Sequence, residues 1–395
     1  MRSSLSNYMT RAEEMREKNT VMFGERFSVM YHIEGEERES FARAQDICLE
    51  QTVEFPAALV VDDTIRQHII GRIESFERNR NTGYDAMISF DTEICGDEFT
   101  QFLNVLFGNI SIKPGIRVEK IDLPDSQLSL FKGPRFGRDG LRTLLDIPIR
   151  PLLFTALKPL GLSADNLASL AYQFASGGID IIKDDHGITN QRYAPFEERV
   201  RLCAQAVKQA NSKTGTNSIY VANITASPDE ILQRARAAKQ NGAKGFLVSP
   251  GLVGLDSMRK IAEDDSLGLP VFSHPAFQGT YVLHGDSGIA HNVLLGQIAR
   301  LAGADASIYP NFGGRFCFTK EECSLIAMGT EVPMGTIKSI FPAPGGGMSL
   351  DRVPEMHQVY GNDVIFLIGG GLFTHGPNLI ENCRHFRELV DRFDI

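Results

Sequence analysis

From about residue 150 onward, short runs of consecutive apolar residues alternate with longer stretches whose apolar positions recur every three or four residues. The runs are PLLFTAL (151–157), GIDIIK (178–183), SIYVANI (218–224), GFLVS (245–249), LPVFS (269–273), ASIYP (306–310), KSIFP (338–342) and VIFLIGG (364–370). Near-continuous apolar runs of this length read as parallel strands buried on both faces. Between them, ADNLASLAYQFAS, FEERVRLCAQAVKQA, PDEILQRARAAKQNG and IAHNVLLGQIARLAG carry helical spacing. Ser163, Ser227-Pro228 and Thr319 supply helix starts, and Gly242 and Gly303 supply stops. Eight strand–helix units in roughly 240 residues predict a (β/α)8 TIM barrel, with an open doubly wound sheet as the alternative. The expected barrel domain runs over residues 146–395.

Residues 20–145 have a different rhythm. RFSVMYHIEG, PAALVVDD, YDAMISFDTEI and IRVEKIDLP read as strands, and ESFARAQDICLEQ and EFTQFLNVLFGN as helices. That order predicts a small α+β domain with an antiparallel sheet, joined to the barrel through residues 125–150. Residues 1–19 are expected to be an N-terminal extension; they contain acids and lack the apolar segment of a secretory signal.

Composition narrows the class. With 43% hydrophobic and 23% charged residues the chain is globular, and 395 residues are enough for two domains. A net charge of −9 argues against broad nucleic-acid or anionic-membrane binding, while leaving room for a local basic pocket. Six cysteines without a C-x-x-C pair point to reduced thiols in the cytoplasm rather than a structural zinc site. No apolar run reaches the length of a membrane span.

Barrel chemistry sits at the C-terminal ends of the strands. Those positions hold Lys158 after the first barrel strand, Lys183, Asp185 and His186 after the second, Asn223 at the end of the third and His274 after the fifth. Gly345–Gly347 and Gly369–Gly371 follow the seventh and eighth, where bare backbone N–H groups can approach a phosphate. Adjacent carboxylates suit Mg2+, which takes oxygen ligands. A cationic Lys183 would repel that ion; it can serve only when neutral or when converted by CO2 to a carbamate.

These residues resemble the large subunit of RuBisCO, and more closely the form IV RuBisCO-like proteins, from about residue 40 to the C-terminus. GGIDIIKDD (177–185) is similar to the family's activation motif, TALKPLGLS (155–163) to its first-strand lysine segment, and FKGPRFG (131–137) to its linker; LFGN (106–109), SPDEILQRA (227–235) and GGG (369–371) also have counterparts. The resemblance implies a ferredoxin-like N-terminal domain, a TIM barrel, and a homodimer whose active sites are completed by the partner's N-terminal domain. It implies that Lys183 is the carbamylated lysine, Asp185 a metal ligand and Lys158 the catalytic lysine. Asn109 and Glu50 would come from the partner domain, His274 would be the fifth-strand histidine, and Gly346, Gly347, Gly369 and Gly370 would hold the first phosphate.

The departures point away from CO2 fixation. The third metal carboxylate of the family is His186 here, a weaker Mg2+ ligand. Pro275, Ile308 and Gly345 stand where the second phosphate's arginine, histidine and serine are expected. The lysine of the family's mobile loop is not recognisable in PNFGGRFCFTK, although Arg315 and Lys320 lie nearby. One retained phosphate site suggests a sugar monophosphate, and a retained Lys158/Lys183/Asp185 set suggests Mg2+-assisted enolisation. The KDDH variant resembles the 5-methylthioribulose-1-phosphate isomerase type, with His186 as a metal ligand or a proton carrier. A diketo-methylthiopentyl-phosphate enolase, a decarboxylase of a branched oxo-sugar-acid phosphate and a non-catalytic partner protein are the alternatives.

Overall fold

The computed structural model describes residues 24–79 and 82–393, so the expected extension 1–19 lies outside the described residues. The N-terminal part runs β1 (Arg26–Ile33), α1 (Glu37–Glu50), β2 (Arg72–Arg78), β3 (Tyr84–Asp91), α2 (Phe99–Phe107) and β4 (Ile116–Asp122). Its sheet has the order β4-β1-β3-β2 with every neighbour antiparallel. Strict alternation in β1 sends Phe27, Val29, Tyr31 and Ile33 into the core, where Phe27 meets Phe90 and Phe102 at 5.5 Å each.

One expected strand moves. PAALVVDD forms a 3-10 turn at Ala57–Leu59 and irregular chain, and the sheet's fourth strand is the charged RIESFER of β2. An edge strand needs pairing on one side only, and charge along it blocks further pairing, so its sequence lacks the apolar signal. The displaced apolar run stays at the surface, with Val61 86% exposed.

Helix α3 (Gly137–Leu145) then leads into eight parallel strands: β5 (Leu152–Leu157), β6 (Ile181–Asp184), β7 (Ile219–Asn223), β8 (Gly245–Val248), β9 (Val271–Ser273), β11 (Ala306–Pro310), β12 (Phe341–Gly345) and β13 (Ile365–Leu367). Between β9 and β11, the short β10 (Gly288–Ile289) leaves the barrel and adds to β4 of the N-terminal sheet. Outside lie α4 (Ala164–Ser176), α5 (Phe196–Thr214), α6 (Pro228–Gln240), α7 (Leu255–Glu263), α8 (Lys320–Gly329), α9 (Val353–Tyr360) and α10 (Leu379–Asp391). Ser163 caps α4 and Thr319 forms a capping box with Glu322 on α8.

The hydrogen-bonded order β12-β11-β9-β8-β7-β6-β5-β13 makes a nearly closed barrel. Its seam between β12 and β13 has a backbone cause. Phe341 N–H donates towards β11, so Pro342 and Pro344 turn their missing N–H groups towards β13. β12 also begins three residues later than KSIFP predicted. The lumen is filled by Phe154, Ile181, Val221, Leu247, Phe272 and Ile308 among others, and Leu141 and Leu145 of α3 close its floor. Among the described residues no helix is long and apolar enough to cross a membrane.

Candidate active site

Strand alternation distributes the charges of GGIDIIKDDHG to four different places. At the floor, Asp180 accepts two bonds from the Arg150 guanidinium (2.7 and 2.8 Å) and one from Leu153 N–H (2.7 Å). Lys183 points into the barrel on the side of Ile181, buried, and its Nζ donates to Asp184 O (3.0 Å). Asp184 points outward, accepting from Tyr220 Oη (2.7 Å), the Arg199 guanidinium (3.2 Å) and Asn223 N–H (3.0 Å). Asp185 returns to the mouth and pairs with Lys158 Nζ at 2.7 Å.

The two histidines meet above this pair. His186 Nδ1 lies 3.6 Å from Asp185 Oδ2, and its ring stacks on His274 at 4.5 Å and 15°. Ala276 N–H donates to His274 Nδ1 (3.2 Å), which assigns the ring proton to Nε2. Burial, with Lys183 and His186 nearby, holds the His274 imidazole well below its usual pKa and therefore neutral. Burial alone would raise Asp185, but His186, Lys183 and Lys158 outweigh it and hold that carboxyl well below its usual range. Desolvation lowers the Lys183 amine to about 8, only partly opposed by Asp185. Asn223, expected at the mouth, clamps the His186 loop instead: its amide donates to His186 O and Ile188 O, both at 2.9 Å.

The two glycine loops lie against each other, since a Cβ on Gly371 would come within 2.4 Å of Met348 O. Gly346 and Gly347 take φ of +86° and +99°, which disfavours side chains there, and Gly369 borders Lys158, whose Cε would lie 3.5 Å from an added Cβ. Lys158 thus spans from Asp185 to the second glycine loop. Lys320 lies over the Phe312 ring (5.8 Å) at the start of α8, and Arg315 lies over Phe316 (5.2 Å).

Glu50 and Asn109 come together on the N-terminal domain, where Asn109 Nδ2 donates to Glu50 Oε1 (3.1 Å) and Lys113 sits 3.5 Å from Glu50 Oε2. Among the described residues no hydrogen bond or ion pair links them to the barrel mouth of the same chain.

The family model for the ribulose bisphosphate carboxylase large chain, catalytic domain, matches residues 138–313. Over 93% of its length the chain is 38% identical to ribulose bisphosphate carboxylase-like protein 1 of Rhodopseudomonas palustris, covering 98% of that protein. The chain belongs to the RuBisCO large-chain superfamily, as a RuBisCO-like protein. It is also 37% identical to the 5-methylthioribulose-1-phosphate isomerase of Rhodospirillum rubrum, over 92% of this chain and 95% of that one. The crystal structure of a Rubisco-like protein from Rhodopseudomonas palustris superposes with a TM-score of 0.85 at 36% identity, covering 94% of this chain and 99% of that chain.

In this RuBisCO-like protein the fit to a divalent cation depends on Lys183. Among the described residues no three His, Cys, Asp or Glu side chains converge as a metal site. Among the described residues Asp185 is the carboxylate that pairs with Lys158 and lies beside His186, and an amine at Lys183 is a donor or a repelling charge. Lys183 as a carbamate would add two hard oxygens beside Asp185, with His186 Nδ1 as the softer third member. A buried amine lowered to about 8 has a neutral fraction near physiological pH, the form that reacts with CO2.

Sequence reading separated Lys183 and Asp185 from Asp184 but missed that Asp184 braces the strand. The signal was present in the strand alternation, which turns Asp184 outward between Lys183 and Asp185. Its partners Tyr220 and Arg199 come from a later strand and helix and are invisible to local inspection.

Proposed function

We propose that this RuBisCO-like protein catalyses enolisation and isomerisation of a sugar monophosphate, with 5-methylthioribulose 1-phosphate as its substrate, and does not fix CO2. The observation that carries this reading is the Lys158–Asp185 pair at 2.7 Å, set between a neutral His274 and the Gly369 loop. The isomerase relative at 37% identity supports the choice of reaction and substrate. The glycine pairs Gly346–Gly347 and Gly369–Gly370 hold the single phosphate and so fix which carbon faces Lys158. Ile308 lines the lumen and Pro275 follows His274, so neither can pair with a second phosphate.

Lys158 Nζ, oriented by Asp185 Oδ1, is the group that exchanges a proton with the carbon beside the substrate carbonyl. His186, above the same carboxylate, returns a proton at the neighbouring carbon, and the stacked neutral His274 limits how far its ring can turn. Mg2+ held by Asp185 and carbamylated Lys183 would supply Lewis-acid polarisation of the carbonyl and hydroxyl oxygens. The Glu50–Asn109 pair would complete the mouth of the partner subunit in a homodimer. In support, Val61 and Ile112, 86% and 84% exposed, present apolar surface on the same domain. The β–α–β–β–α–β order of residues 20–145, with spatial order β4-β1-β3-β2, supports a ferredoxin-like domain ahead of the barrel domain 146–395.

Incubation with 5-methylthioribulose 1-phosphate and Mg2+ in D2O, followed by NMR, tests the reaction. Deuterium incorporation with a new sugar-phosphate product and no CO2 is expected. Release of CO2, or turnover of ribulose bisphosphate in preference, would overturn it.

A further inference from the structure

The loop that carries His186 has each of its five carbonyls, from Asp185 to Thr189, held by a hydrogen bond. Asp185 O accepts from Ile188 N–H (2.9 Å), Gly187 O from Gln191 Nε2 (2.8 Å) and Thr189 O from the Arg199 guanidinium (2.7 Å). His186 O and Ile188 O both accept from the Asn223 amide, at 2.9 Å each. Among these donors only Asn223 holds two. It stands at the end of β7, fully buried, and its own N–H donates to Asp184 Oδ2 (3.0 Å). Its Oδ1 accepts from Thr225 N–H (3.1 Å), which fixes the orientation of the amide and leaves both side-chain N–H bonds for the loop.

The His186 ring has little packing of its own to place it. Its side chain is 46% exposed, yet Nδ1 stands 3.6 Å from Asp185 Oδ2 and the ring face lies on His274. A half-exposed ring keeps such a position when the backbone beneath it is immobile. We infer that Asn223 is a positioning residue for the reaction: by gripping the carbonyls on both sides of Gly187 it sets where His186 delivers its proton. The task needs the donor count of asparagine. Ser and Thr offer one donor and an ionised Asp none, whereas the amide spans two carbonyls and still accepts from Thr225. Without it two buried carbonyls lose their partners and the loop is free to shift, and a misplacement of about 1 Å can cost about 100-fold in rate. Asp184, Tyr220 and Arg199 thus hold the frame, and Asn223 passes that frame on to one side chain of the site. This assignment rests on the proton-carrier role of His186 given under Proposed function.

Deuterium incorporation from D2O during turnover of 5-methylthioribulose 1-phosphate with Mg2+ tests it, with circular dichroism to check folding. Wild type is compared with Asn223→Leu, Asn223→Ser, His186→Asn, and each Asn223 variant combined with His186→Asn. Asn223→Leu is expected to lower kcat about tenfold or more with KM within about twofold, and Asn223→Ser, which keeps one donor, to fall between. Added to His186→Asn, Asn223→Leu should lower kcat by less than about twofold further, because the group it places is already gone. A purely structural brace would instead cost its full factor in that background, and this result overturns the inference. So does a kcat within about twofold of wild type for folded Asn223→Leu; if that variant does not fold, Asn223→Ser decides by the same comparison. Exchange that survives His186→Asn, or no exchange in wild type, would remove the proton-carrier reading itself and the inference with it.

Discussion

Lys183 is a buried amine at the mouth, and its ionisation couples stability to pH. Its amine sits at about 8 in the fold against an ordinary 10.5. Between those values the native chain binds fewer protons than the unfolded one, so stability rises with pH across that window. Below it the buried ammonium costs about 3 kcal/mol. Lys183→Met is therefore expected to raise the thermal midpoint at pH 7, with the difference shrinking by pH 10, while abolishing activity. In the wild type, 13C NMR with labelled CO2 should show a carbamate signal that grows as the pH is raised towards and past 8, absent in Lys183→Met. His186 separates two roles. If it carries protons, His186→Asn lowers deuterium exchange about 100-fold with little change in Mg2+ affinity. Retained exchange with weakened Mg2+ binding would instead make it a ligand. Lys158, Asp185 and His274 were legible as strand-end residues, because barrel topology alone sends those positions to one mouth.

The elements show which signals are local. Thr319 and Ser163 announce their helices because a cap bonds within one turn. PAALVVDD misleads because apolar residues are not all buried: this run lies largely at the surface, with Leu59 and Val61 exposed, and its composition alone reads the same as a strand. The charged β2 hides for the converse reason, since an edge strand is specified by its partner β3. Asp184 ties β6 to β7 and α5 through Tyr220 and Arg199, with both ionic groups fully buried. Asp184→Asn leaves Arg199 uncompensated and should cost about 3–5 kcal/mol. Urea denaturation checks this, expecting a lower midpoint with an unchanged slope.

At the scale of the whole molecule, β10 and Arg117 bind the two halves of one chain together, the latter through the carbonyls of His284 and Gly285. The shared-site reading predicts that Asn109→Ala and Lys158→Ala, each inactive alone, recover roughly one quarter of wild-type activity when refolded together. Half of such dimers are hybrids, each with one intact site. Val61→Asp should shift the sedimentation coefficient towards the monomer; recovery of nothing with dimers intact would show that Glu50 and Asn109 do not serve the partner's site. By itself the sequence determined the period of eight buried strands, their caps and the mouth residues, because hydrophobic periodicity and capping act over a few residues. Motif order also carried the family. Only the tertiary structure decided that Asp184 is a brace, that Asn223 holds the His186 loop, that prolines open the β12–β13 seam, and that Arg315 lies on the glycine loop. Each of these depends on groups tens to hundreds of residues apart, and no local pattern records which distant partner folding will bring within 3 Å.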